Sequence, residues 1–96
     1  MRRAKVKNKY YINPEAVLDL HGFTKKEAQE AFFEFLDEVR EKGFKKIKII
    51  TGQGWHNEDF QSILKPFIEE ILDEENYSYS DAKINDGGRG AIIANL

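Results

Sequence analysis

Six of the chain's seven glycines fall in three short knots, Asp19-Leu20-His21-Gly22, Thr51-Gly52-Gln53-Gly54 and Gly87-Gly88-Arg89-Gly90. Each knot stands where a strand should end, and glycine is the residue that lets a backbone turn through positive φ without a steric penalty. If the strands are parallel, all three knots meet at one edge of one sheet. That spacing constrains the fold more than any other feature of the 96 residues.

The stretches between the knots carry their own periodicities. Asn13-Pro14 marks a turn, after which residues 17–20 read as a short strand with Leu18 and Leu20 on one face and Asp19 and His21 on the other. Thr24-Lys25-Lys26-Glu27 fits a capping box, in which the hydroxyl takes an orphan helix N–H and the glutamate reaches back to the cap. Ala28, Ala31, Phe32, Phe35, Leu36 and Val39 then form one apolar helical stripe, stopped by Gly43 after Arg40 and Lys42. Residues 46–51, rich in isoleucine, predict a second strand. Phe60, Ile63, Leu64, Phe67, Ile68, Ile71 and Leu72 mark a second helix with Pro66 inside its stripe. Proline there predicts a kink, or a restart with Pro66 in the first turn. Residues 77–84 and 91–96 read as third and fourth strands, and 85–90 suit a hairpin loop.

The order is therefore β-α-β-α-β-β. Right-handed crossovers make the first three strands parallel and place both helices on one face of the sheet. The expected architecture is an α/β two-layer sandwich, a four-stranded mixed sheet under two helices. Ligands of such sheets bind beyond the carboxyl ends of the strands, where helix N-termini also point. The knots share that edge, whereas the acidic run Asp73-Glu74-Glu75 follows the second helix and lies opposite. Asp19, His21, the Gly52 and Gly54 backbone and Arg89 are thereby placed around one pocket suited to a phosphate.

Composition narrows the classes. With 41% hydrophobic residues the chain reads as one domain, and the absence of cysteine excludes disulfides, thiolate zinc sites and thiol redox chemistry. No apolar run is long enough for a membrane span or a signal peptide, so a cytoplasmic address and no membrane partner are expected. Net charge is −2, but Arg2, Arg3, Lys5, Lys7 and Lys9 give the first nine residues +5 and leave −7 for residues 10–96. Residues 1–13 thus read as a basic, flexible arm and 14–96 as the folded domain. A basic arm is a phosphate-contacting device or a solvated terminus, and salt dependence of binding separates the two.

Leu18-Asp19-Leu20-His21-Gly22, a helix, Ile49-Ile50-Thr51-Gly52-Gln53-Gly54-Trp55-His56, a helix, and Gly87-Gly88-Arg89-Gly90-Ala91 together closely resemble the Smr (small MutS-related) domain. The resemblance runs from about Val17 to Leu96. It implies the fold of the C-terminal domain of translation initiation factor three, and it implies action on DNA or RNA, as a DNA-nicking endonuclease or an endoribonuclease. The family's acid and histidine map onto Asp19 and His21, its glycine-rich loop onto Thr51, Gly52, Gln53 and Gly54, and a second histidine onto His56. The chain departs at Gln53, where the family's loop commonly carries lysine. That departure keeps a second reading open, a DNA- or RNA-binding module that does not cut. A monomer or weak homodimer is expected.

Phosphodiester cleavage needs a base for the attacking oxygen, an acid for the leaving oxygen and positive groups around the phosphate. His21 suits base or acid because imidazole exchanges protons near neutral pH; the plain alternative is a structural histidine at a turn. Asp19 orients His21, helps hold a divalent metal such as magnesium or manganese, or merely fixes the strand end through loop hydrogen bonds. No metal ligand set is predicted, and the cofactor is left unknown. Gly52 and Gly54 let loop amides approach a phosphate. Trp55 stands at the knot edge, to stack on a base or to cover the core. His56 contacts the ligand or caps the second helix. Gly88 and Arg89 clamp phosphate oxygens or form a solvated loop.

Overall fold

The computed structural model describes residues 14–52, 58–82 and 90–96. They form β1 (Ala16–Asp19), α1 (Lys25–Glu41), β2 (Lys46–Ile50), α2 (Glu58–Glu74), β3 (Ser78–Asp81) and β4 (Ala91–Asn95). The sheet order is β1-β2-β4-β3, with β1 parallel to β2 and β4 antiparallel to both its neighbours. β1, β2 and β3 therefore point one way and β4 alone opposes them, as the crossover rule and the hairpin require. Four consecutive residues of β4, Ala91 to Ala94, are buried. A strand with a neighbour on each side and cover on both faces reads as an unbroken apolar run, and this one does.

Register sorts the side chains into two faces. Ile47 and Ile49 of β2 pair with Ala94 and Ile92 of β4, and all four join one core with Leu20, with Ala28, Phe32, Leu36 and Val39 of α1, and with Leu64, Ile68, Ile71 and Leu72 of α2. Both helices thus cover one face. Each fully buried residue of this size contributes about 1.5–3 kcal/mol relative to exposure. The alternate residues Ile50, Ala91 and Ile93, with Ala82, form a smaller cluster on the helix-free face.

The helix ends follow from local chemistry. At α1, Glu27 N donates to Thr24 Oγ1 at 3.2 Å and Thr24 N to Glu27 Oε1 at 3.0 Å, the expected capping box. Gly43 closes it at φ +76°, its N–H donating to Arg40 O while Phe44 N donates to Val39 O. α2 ends in the same Schellman pattern with Asn76 at φ 65°, Asn76 N donating to Asp73 O and Tyr77 N to Leu72 O. Pro66 lies within one 17-residue helix rather than at a restart. Buried Leu64 on one side and Ile68, Ile71 and Leu72 on the other hold both halves against the sheet. That packing offsets a proline cost of about 3 kcal/mol. Ile63, expected in the apolar stripe, is 42% exposed.

β1, β2 and β4 fall within a residue of their expected limits, whereas β3, expected to run to 84, is shorter. β1 occupies 16–19 rather than 17–20, although Leu20 N still donates to Ile50 O at 2.7 Å. β3 begins at Ser78 and, among the described residues, ends at Asp81, with Ala82 N donating to Ala91 O at 3.1 Å. The expected loop at 85–90 lies outside the described residues except for Gly90.

Candidate nucleic-acid site at the knot edge

Strand alternation places Asp19 on the helix-free face, and buried Leu20 anchors the chain between it and His21. Gly22 then turns the backbone at φ +81° toward α1. Asp19 Oδ1 accepts from His21 N at 3.1 Å and lies 2.6 Å from His21 Nδ1. The hydrogen bond from the imidazole holds the Asp19 carboxyl below its ordinary value of 3.8; partial desolvation opposes it, and the His21 backbone N–H and charge assist. An ionised carboxylate only accepts, so the hydrogen between them sits on Nδ1, and in the neutral tautomer Nε2 is the ring's acceptor. The pair is open to solvent, the His21 side chain 70% exposed and that of Asp19 50%.

The other two knots close on this pair. Gly52 adopts φ +91°, and a Cβ there would lie 3.2 Å from His21 Cβ. Glycine is therefore required both by backbone conformation and by the histidine beside it. Thr51 N, Gly52 N and Thr51 Oγ1 all donate to Gly90 O, at 2.8, 3.0 and 3.3 Å. Thr51 is the buried polar residue of this edge, 4% exposed. One carbonyl of the third knot thus ties down the second, and the second packs against the first. The Gly90 carbonyl was not among the candidate residues; its signal is the adjacency of the last knot to β4, which pairs with β2.

Of the predicted site residues, the structure brings together Asp19, His21, Thr51 and Gly52. Gln53, Gly54, Trp55, His56, Gly88 and Arg89 lie outside the described residues, as do Arg2, Arg3, Lys5, Lys7 and Lys9. Tyr77 and Tyr79 are half-buried against the main core, where Tyr77 Oη accepts from Arg40 Nε at 2.7 Å and Tyr79 Oη donates to Asp73 Oδ2 at 3.2 Å.

The hydrogen bonds of Asp19 use Oδ1. Among the described residues no three His, Asp or Glu side chains gather to hold a metal. They do not form a protein cage for magnesium or manganese. No described helix is long and apolar enough to cross a membrane.

A two-layer α/β fold with an acid and a histidine at the end of its first strand, backed by two glycine loops, defines a narrow class. The chain belongs to the Smr domain family, whose profile matches residues 18–96. It is 36% identical over 81 residues to the endonuclease MutS2 of Helicobacter pylori, covering 82% of this chain and 10% of that protein. An uncharacterized protein of Treponema pallidum is 41% identical over 59 residues, 62% of this chain and 29% of the other. The chain thus spans less than a third of the length of these relatives. The crystal structure of the Smr domain of Thermus thermophilus MutS2 superposes with a TM-score of 0.70 at 26% identity, covering 84% of this chain and 96% of that one. YdaL, a stand-alone small MutS-related protein from Escherichia coli, shares the fold with a TM-score of 0.81 at 24% identity, covering 100% of this chain and 80% of its own.

Proposed function

We propose that this Smr domain acts on DNA or RNA and cleaves the phosphodiester backbone, with Asp19 and His21 at the centre. The observation that carries the reading is the exposed pair at 2.6 Å beside a glycine that leaves room for the ring. With the carboxylate on Nδ1, Nε2 is the base that takes the proton of the attacking oxygen, water in hydrolysis or the 2′-hydroxyl in RNA transesterification. The new P–O bond forms as the opposite P–O bond breaks; the leaving oxygen keeps the electron pair and takes a proton from water, and the imidazolium returns its proton to solvent. Asp19 stays ionised throughout and stabilises that cation.

The relative named endonuclease MutS2 supports the same class of chemistry. Thr51 and Gly52 serve by holding the glycine loop, and the loop residues Gln53, Gly54, Trp55 and His56, with Gly88 and Arg89, contact phosphate and base. Arg2, Arg3, Lys5, Lys7 and Lys9 add phosphate contacts from the arm. Gln53 in place of the usual lysine favours a second reading, a module that binds through this edge without cutting.

Labelled single- and double-stranded RNA and DNA, incubated with the protein with and without EDTA, decide between them. Cleavage that disappears in Asp19→Ala and His21→Ala supports the enzyme. Binding without any cut that depends on these residues leaves the module.

A further inference from the structure

The helix layer and the opposite face of the sheet differ in charge. α1 carries three basic residues against six acidic ones, and α2 one against six. A polyanion is repelled from that side. The helix-free face is different, and it divides in two. Over β4 and its neighbours it is closed, since Ala82, Ala91 and Ile93 are buried. Over β1 it is open, with Val17 54% exposed, Asp19 further along the strand and His21 just beyond its end.

Lys48 belongs to that open half. It pairs with Val17 in the parallel register, and Asp19 pairs with Ile50, so Lys48 stands two residues before the site along β2. At a rise of about 3.3 Å per residue the separation along the strand is roughly 7 Å. Among the described residues Lys48 has no acidic partner. The acids on this half are engaged: Asp19 with His21, and Glu15 through Oε1 with the N–H groups of Lys45 and Lys46.

We propose that the nucleic-acid strand cut at His21 lies along the β1–β2 half of the helix-free face, with Lys48 holding a backbone phosphate next to the scissile one. This inference rests on the nucleic-acid reading above and adds the direction of approach. Val17 presents an apolar surface to the sugar and base edge beside that phosphate, and the acidic helix layer keeps the strand from the other side of the domain.

The test compares Lys48→Gln with Lys42→Gln, an identical charge change at the end of α1, where Lys42 Nζ bonds Glu38 Oε2. Binding of fluorescein-labelled single-stranded RNA, single-stranded DNA and duplex DNA is measured against salt, with circular dichroism to confirm folding. In the inference, Lys48→Gln weakens binding several-fold and lowers the log–log salt slope by about 0.7–0.9, the loss of one phosphate contact, while Lys42→Gln leaves the slope unchanged. Equal slopes in the two variants and the wild type overturn the proposed path but not the nucleic-acid reading. If the wild type binds none of the probes, the nucleic-acid reading fails and this inference with it.

Discussion

At the edge opposite the knots, polar side chains join parts of the chain that are distant in sequence. Arg40 at the end of α1 donates through Nε to Tyr77 Oη at 2.7 Å, reaches Glu75 at 3.4 Å and lies over the Tyr77 ring, while Glu15 receives two backbone N–H groups from the start of β2. At the knot edge, among the described residues, the Asp19 carboxylate engages the residue two places on. Contacts of the first kind stabilise tertiary structure; a local, exposed, oriented acid–base pair does little for it. In the proposed function the exposed pair serves chemistry, whereas the contacts of Arg40 and Glu15 serve cohesion.

The strongest way to break the comparison is to remove the imidazole. His21→Ala is expected to lower cleavage by on the order of 10²–10⁴-fold, the usual worth of a positioned acid or base. The thermal midpoint should stay where it is. A fall in melting temperature without a fall in turnover would reverse the assignment of the two edges.

Gly52→Ala comes next, because it touches both functions of the knot edge. A non-glycine residue at φ +91° costs about 1–3 kcal/mol, and the added methyl meets His21 Cβ. Stability and cleavage should fall together, although no titrating group is lost; Gly43→Ala, strained at φ +76° but with open space around it, should cost stability alone. Arg40→Ala sharpens the other side, removing about 1 kcal/mol of stability through the lost hydrogen bond and ring contact. In a domain of this size that is a drop of about 4–8 °C in melting temperature. Its cleavage rate should match the wild type.

Much of this arrangement is legible in the sequence. The glycine knots report strand ends, and strand ends of parallel strands share an edge, so the meeting of His21, Gly52 and Gly90 follows from spacing and handedness. The capping box at Thr24 is equally local and equally readable. What escaped the sequence depends on tertiary context. Pro66 signals a break, and only the buried residues on both sides of it keep the helix whole. Asn76 ends α2 in the conformation glycine adopts at Gly43, but asparagine occurs in so many settings that its role shows only once the helix end is in place. Thr51 could have offered its hydroxyl to a ligand; β4 lies between β2 and β3, brings Gly90 O within reach and turns the hydroxyl inward. Lys48 acquires its place only from the register, which sets it beside Val17 on an open face.

The smallest expected effect separates the two edges by pH. The Asp19 carboxyl is held below 3.8, so between its folded and ordinary values the unfolded chain binds more protons than the folded one. Its contribution to stability is therefore complete above the ordinary value and is lost as pH falls through the folded one. Tyr79 behaves in the opposite sense. Partial burial, the hydrogen bond to Asp73 and the charges of Asp73 and Glu69 push its hydroxyl above 10.0, so the folded chain holds the proton longer and stability declines as pH rises past that value. Denaturation by urea across pH should thus show Asp19→Asn flattening only the acid limb and Tyr79→Phe only the alkaline limb, each by a small amount because both groups face solvent. If Asp19→Asn changed stability near neutral pH as much as Arg40→Ala does, the carboxylate would be holding the fold together, and the knot edge would lose its distinction from the edge across the sheet.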